Sequence, residues 1–282
     1  MTREKPARLL VYPAWDDPRW LQFAFLLAYD VYALCSPGFS RTPAQFAAAI
    51  LTAGVMSSAP AFFQGGVVLV PVSGLITAFG LLLLCDSTHL WTYVAIAMTG
   101  ALSKQLFRVE GRHLFNPSNF GLVMGLLFLS DQMTIVGGRW GGSLGVMAPV
   151  AALGAFVAWR AKRLDLAAAY AATYVAGAAL RSAVYGTALI GELAPMTGAA
   201  FQLFTFNMIT DPMATPETRR GRVVFGVLVG ALEAALRHYE VRFAAFYALF
   251  VLSGFVPYFR SWFPPAAPEQ VWRTRVRSAA GA

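Results

Sequence analysis

Apolar residues come in long blocks along this chain, separated by short polar breaks. Runs such as AFLLAYDVYALC, VVLVPVSGLITAFGLLLLC and SLGVMAPVAALGAFVAW approach or reach the ~20 apolar residues that carry a helix across a hydrocarbon core roughly 30 Å thick. The pattern predicts about ten helical spans, over 20–35, 43–60, 66–84, 89–104, 118–130, 143–159, 165–182, 194–210, 223–237 and 243–259. The fold class expected is all-α: one polytopic membrane helix bundle occupying residues 1–282 as a single domain. The fifth and eighth spans, NFGLVMGLLFLSD and GAAFQLFTFNMI, are short. They are expected as broken or half-length helices packed inside the bundle, where irregular backbone is tolerated in a membrane. Eight full crossings with two re-entrant segments is the competing count.

Composition supports the membrane reading. The 282 residues are 57% hydrophobic and 13% charged, against roughly 25% charged in soluble domains, so too little charge is available to clothe a soluble core. The net charge of +8 points to Lys- and Arg-rich cytoplasmic loops rather than to nucleic acid. With Arg3, Lys5 and Arg8 inside, the inside loops receive Lys104, Arg108 and Arg112, then Arg160, Lys162 and Arg163, then Arg219, Arg220 and Arg222. The tail adds Arg260, Arg273, Arg275 and Arg277, while the outside loops keep Arg41, Arg139, Arg237 and Arg242. Both termini are therefore expected in the cytoplasm, residues 1–18 and 260–282 forming the cytoplasmic ends of a multi-pass protein of the cell (inner) membrane. The N-terminal stretch lacks the compact apolar region and small-residue cleavage site of a signal peptide. Cys35 and Cys85 read as small hydrophobes at the ends of apolar segments.

Two polar breaks interrupt the apolar pattern. In FNMITDPMATPETRRGRVVFGVLVG, residues 206–230, Pro212 removes a backbone donor and turns Asp211 away from helical geometry, and Thr215-Pro216 repeats the interruption. In KQLFRVEGRHLFNPSNFGLVMG, residues 104–125, Asn116-Pro117 breaks the chain and Ser118 and Asn119 suit the cap of the following helix. A helix over 104–112 would place Lys104, Arg108 and Arg112 on one face. A turn with positive-inside anchoring explains each break alone. Two polar breaks on one side of the membrane suggest one site, where free N–H groups and a helix dipole suit a phosphate or a polar ring edge. Asp30, Arg181 and Glu233 fall within or near apolar segments and must face a partner or a cavity. His89, His113 and His238 stand near span ends and do not form a haem or metal ligand set. No nucleophile triad, Gly-rich phosphate loop or zinc motif is present.

The stretch FNMITDPMATPETRRGRVVFGVLVGALEAALR, with a closing helix that ends FVP, resembles the C-terminal part of a membrane family. That family contains NqrB, from the sodium-pumping NADH:quinone reductase, and RnfD, from the Rnf electron-transport complex. FNPSNFGLVMG resembles the same family's Asn-Pro-Ser-x-Phe-Gly segment. The quoted stretches cover a small part of the chain, which is short and most similar to the compact stand-alone relatives. The resemblance implies membrane electron transfer through flavin, with partner redox subunits or a soluble reductase. Family members carry FMN on the threonine of a Ser-Gly-Ala-Thr motif, and some also hold riboflavin. That motif is absent here; MTGAA with Thr197 and YGTA with Thr187 do not match it in order. Its absence argues against covalent FMN and leaves noncovalent flavin, or loss of the cofactor, as the alternatives. On this reading Asn116, Ser118, Asn119, Thr210, Asp211 and Thr215 surround a flavin or its polar edge, and Arg108, Arg112, Arg219 or Arg220 favour its phosphate or reduced ring. A transporter or channel on the same broken-helix framework, with Asp30 lining a path, is the rival reading, and a membrane scaffold is the third.

Overall fold

The structure, a computed structural model, describes residues 10–15, 17–36, 39–136, 144–265 and 277–278. Arg3, Lys5, Arg8, Arg139, Arg273 and Arg275, on which part of the expected charge bias rests, lie outside the described residues. The chain is mostly helical. Its first long helices are α1 (Pro18–Leu34), α2 (Pro43–Gly65), α3 (Val72–Leu84), α4 (Leu90–Leu106), α5 (Pro117–Phe128), α6 (Leu144–Arg160) and α7 (Leu164–Tyr185). Short helices α8 (Leu189–Leu193) and α9 (Ala199–Leu203) follow, then α10 (Arg219–His238), α11 (Ala244–Ser253) and α12 (Val256–Trp262).

Local chemistry sets where these helices begin. Pro18, Pro43 and Pro117 each stand in a first helical turn, where a missing N–H costs nothing and the fixed φ is already helical. Asp17, Thr42, Asn116 and Thr218 supply the side-chain caps of α1, α2, α5 and α10. Thr42 and Gln45 form a reciprocal capping box, and each such cap contributes about 1 kcal/mol.

Three expectations are corrected in detail. The segment 66–84 is not one helix: Val68–Leu69 is a strand, β2, and Pro71 delays the helix to Val72. β2 runs parallel to β1 (Leu10–Tyr12), which also pairs antiparallel with Arg277–Ser278, the last strand, β7. The helix expected over 104–112 stops at Leu106. Arg108–Val109 (β4) then pairs antiparallel with Arg112–His113 (β5), with Arg108 opposite His113. Glu110 and Gly111 both take positive φ, 53° and 78°, the two-residue turn that matches strand twist in a hairpin; Lys104, Arg108 and Arg112 therefore share no helix face. The all-α expectation also omits a further strand pair, β3 (Cys85–Asp86) with β6 (Thr134–Ile135). The expected eighth span is indeed broken: a 3₁₀ turn at Ala194–Thr197, α9, and a π-helical turn at Phe204–Met208 succeed one another.

Packing follows the apolar surfaces. Leu81, Leu82, Leu83 and Leu84 are all fully buried, so α3 is apolar all round and sits at the centre of α1, α2, α4 and α5. On the other side α10 lies along α7, held by a two-pronged ion pair from Arg222 Nε and Nη2 to Asp165 at 2.9 and 2.7 Å. α11 joins the two groups by packing on both α10 and α5, and Asn119 Nδ2 donates to Phe246 O at 3.2 Å across that seam. One described helix is long and apolar enough to cross a membrane alone, over Pro43–Gln64, and α11 with α12 passes the same test as a pair bent by 57°.

The close approach of α4 to α5 fixes where the Asn-Pro-Ser segment lies. A Cβ added at Gly100 would stand 2.5 Å from Pro117 O, and one at Gly121 would meet the carbonyl oxygen of Ile96. Backbone cannot yield as a side-chain tip can. Gly121→Ala is therefore expected to cost about 1–3 kcal/mol, read as earlier thermal unfolding in detergent. Gly145→Ala, with nothing within 4 Å, should stay within about 0.5 kcal/mol. Equal unfolding of the two variants would contradict this packing.

Candidate functional site

The two proline breaks meet. Asn116 Oδ1 accepts from the Asn119 N–H at 3.0 Å and so caps α5, while Asn116 Nδ2 donates to Asp211 Oδ2 at 3.2 Å. The same Asp211 oxygen lies 3.0 Å from His113 Nε2 at the end of the β4–β5 hairpin. Asp211 Oδ1 accepts from the Met213 N–H at 2.9 Å, and the Asp211 carbonyl accepts from Thr215 Oγ1 at 2.8 Å. Asp211 owes this position to the π turn and Pro212, which end the broken span just where its carboxylate can reach α5. π turns recur at functional sites because the extra residue re-aims the side chains after it.

The carbonyls freed by the second break are taken up by arginines. Arg112 Nη2 donates to Pro212 O at 2.6 Å, with Nη1 on the Glu217 carboxylate. Arg260 Nη2 donates to Met213 O at 2.8 Å, and Arg163 Nε donates to Thr215 Oγ1 at 3.3 Å. Arg112 thus takes the place of the i→i−4 donor that Pro216 lacks, Arg260 serves the next carbonyl, and Arg163 reaches a hydroxyl of the same turn. Donor capacity is left over. Arg112 Nε and Arg260 Nε and Nη1 are buried with no hydrogen-bond partner among the described residues.

Beside this junction is a cavity of about 290 Å³, close to the lower end of the ~300–1,000 Å³ that holds small ligands. Lys104, Arg112, His113, Asn116 and Asp211 line its polar wall, and Ile76, Val157 and Phe206 give it an apolar side. Lys104 Nζ is held by Ser73 O and Oγ at 2.9 Å each and by Thr77 Oγ1 at 3.0 Å. Arg163 comes in from the start of α7, and Asp17, Arg19 and Gln22 bring the first turn of α1 to the rim. Asp17 and Arg19 neutralise each other through Nη2–Oδ2 at 2.6 Å. Lys104, Arg112 and Arg163 thus line the cavity together with the carboxylates of Asp17 and Asp211, and Arg112 is also paired with Glu217.

Of the residues expected from sequence, Arg112, Asn116, Ser118, Thr210 and Asp211 line this cavity. Asn119 and Thr215 are buried behind it, at 1% exposure each. Arg108 turns away to donate to Gly111 O at the exposed hairpin tip. Arg219 and Arg220, at the start of α10, are exposed and do not line the cavity. Lys104, His113 and Arg163 read in the sequence as loop anchors and a span-end histidine. Their place on the wall comes from helix packing, and no local signal marks it. Thr187 and Thr197 do not line the cavity either; their hydroxyls bond Glu192 Oε1 and Ala194 O.

Burial holds His113 below its usual imidazole range, against the opposing pull of Asp211. The folded state thus prefers neutral His113 more than the unfolded chain does. Its contribution to stability is complete above the unfolded value of 6.5 and is lost as pH falls below it. Thermal unfolding in detergent is expected to occur earlier at pH 5 than at pH 7, with the difference reduced in His113→Gln. A pH dependence identical in that variant would assign the effect to other groups.

Residues 135–268 match the model of the NQR2, RnfD, RnfE family, a span that contains the Thr-Asp-Pro break, α7, α10 and α11 but not the Asn-Pro-Ser segment. Comparison with curated proteins gave no match. Over residues 135–268, a little under half of the chain, the protein is thus similar to the NQR2, RnfD, RnfE family.

Proposed function

We propose that this protein is a multi-pass membrane electron-transfer subunit that binds a flavin noncovalently in the cavity between its two proline breaks and exchanges electrons with partner redox proteins. The observation that carries the reading is the enclosed cavity whose polar wall brings Lys104, Arg112, His113, Asn116 and Asp211 together opposite an apolar side. A membrane setting is supported by the surface: Val31 on α1, Leu51 and Val55 on α2, Leu180 and Val184 on α7, and Leu228 on α10 are all exposed. Exposed apolar area spread over several helices suits lipid contact better than water. In that setting the charged groups turned inward need a purpose or a partner.

The residues fit a flavin. Its ring has an apolar face and a polar edge with carbonyl oxygens and ring nitrogens, and the cavity offers an apolar side opposite a wall of donors. Asn116 and His113 would hold the polar edge, and Lys104, Arg112 and Arg163 would favour a phosphate or the negative charge of the reduced ring. When bound, the flavin supplies the redox chemistry. The chain's own work is to orient it, to keep water from its ring through Ile76, Val157 and Phe206, and to place basic side chains beside it. Asp211 is the positioning residue: its carboxylate holds Asn116 and His113 in place. The absence of a Ser-Gly-Ala-Thr threonine at the cavity supports a noncovalent site.

The visible spectrum of the detergent-purified protein, taken before and after acid denaturation and filtration, tests the reading. Flavin absorbance that passes into the filtrate is expected. A colourless protein, folded and made under flavin-replete conditions, would overturn it in favour of solute transport or scaffolding. Asp211→Asn removes the charge on two hydrogen bonds worth about 1.5–3 kcal/mol each. It should weaken flavin retention by about tenfold or more while the protein still inserts into membranes. Failure of the variant to accumulate would instead give Asp211 a purely structural role.

A further inference from the structure

At the opposite end of α1 from the cavity is a second polar site that the electron-transfer reading leaves unused. Asp30 is 1% exposed, and neither carboxylate oxygen has a hydrogen-bond partner among the described residues. The Arg41 guanidinium acts on it electrostatically without touching it. Arg41 is itself buried, with its Nη1 3.5 Å from Asp86 Oδ1 and with Nε and Nη2 unpartnered. Two unsatisfied acceptors and two unsatisfied donors of opposite charge thus share one buried region. Leaving such groups bare is costly, and bridging water is the usual remedy. Arg41 disfavours a metal cation beside Asp30, whereas a proton on Asp30 removes the buried charge outright. The surface is near: Asp86, which pairs with Arg41, is partly exposed and accepts from exposed Ser40 Oγ at 3.3 Å. Cys85, whose carbonyl accepts from Tyr93 Oη at 3.3 Å, completes the surroundings.

We propose that Asp30 is a reversible proton-binding site, with Arg41 as the counter-charge of its ionised form and water in the gap between them, and that it compensates negative charge placed in the cavity at the other end of α1. Asp30 takes one proton from bulk water through the Asp86–Ser40 surface and becomes neutral; on release the carboxylate returns to the field of Arg41. Gln22 lines the cavity, and Asp30, eight residues further along α1, is about 12 Å away along the axis. One added charge at that distance raises proton affinity about tenfold at an effective dielectric of about 20. The proton site stands on its own geometry; the coupling rests on the flavin reading.

Infrared spectra of the purified full chain, stepped through pH in H₂O and D₂O, decide the first part. A protonated-carboxyl C=O band that titrates reversibly and vanishes in Asp30→Asn is expected, and Arg41→Gln should raise its proton affinity about tenfold. A spectrum unchanged in Asp30→Asn means that Asp30 stays ionised and overturns the site. If Asp30→Asn does not accumulate, Asp30→Glu decides the same question, since a band belonging to residue 30 must change frequency. The coupling is read from the midpoint potential of bound flavin against pH. A slope flattened by Asp30→Asn supports it, and an unaltered slope overturns it. A colourless protein removes the flavin reading and the coupling together, while the infrared titration still decides the proton site.

Discussion

The carboxylate of Asp211 is the joint on which the architecture of the site turns. It receives Asn116 and His113 from one side of the bundle and caps its own turn at Met213 on the other. The bonds to Asn116 and His113 join segments far apart in sequence. A charged acceptor serving several buried donors is stronger than the same number of neutral bonds. Placed between two segments whose helices proline has interrupted, it turns two separate defects into one structure. The arginines then complete the repair: Arg112 and Arg260 bind carbonyls that no helical N–H can reach. Substituting either partner would leave buried polar groups stranded, which costs more than the bond itself is worth.

That arrangement explains why the breaks lie where they do in so apolar a chain. A continuous helix presents no free backbone to a ligand. Interrupting two spans and then satisfying most, but not all, of the liberated groups leaves a wall with fixed donors and an enclosed volume. The wall is rigid because the α4–α5 contact is set by glycine against backbone carbonyl, and because α3 is packed on every side. Preorganised charge of this kind acts on a bound group without having to rearrange when that group changes charge.

The second polar site differs in kind. Both oxygens of the Asp211 carboxylate accept hydrogen bonds, whereas neither oxygen of Asp30 has a partner among the described residues. A fully paired carboxylate suits a fixed binding wall, and an unpaired one suits a group whose charge state changes. α1 connects the two regions, with its capped first turn at the cavity rim and Asp30 near its far end.

Most helices were legible in the sequence because apolar runs and proline punctuation act locally. Pro18, Pro43 and Pro117 start helices wherever they stand, and the expected spans at 20–35, 43–60, 89–104, 118–130 and 165–182 each coincide with one observed helix. The hairpin at 108–113 was hidden, since its two positive-φ residues, Glu110 and Gly111, interrupt a run that charge spacing alone makes look like one helical face. The site was legible in part. Asn116, Ser118, Thr210 and Asp211 announce themselves as polar breaks, because polar residues beside proline in an apolar chain are conspicuous without any partner. Lys104, His113 and Arg163 do not, because a basic residue at a helix end reads the same whether it faces water or a cavity. Likewise Arg219 and Arg220 suit the site by nearness in sequence, yet the start of α10 turns them outward. By itself the sequence determined the apolar character, the helices and the two breaks, all consequences of local composition. Only the tertiary structure decided that the breaks meet and which cations face the space between them, because those facts depend on how helices distant in sequence pack.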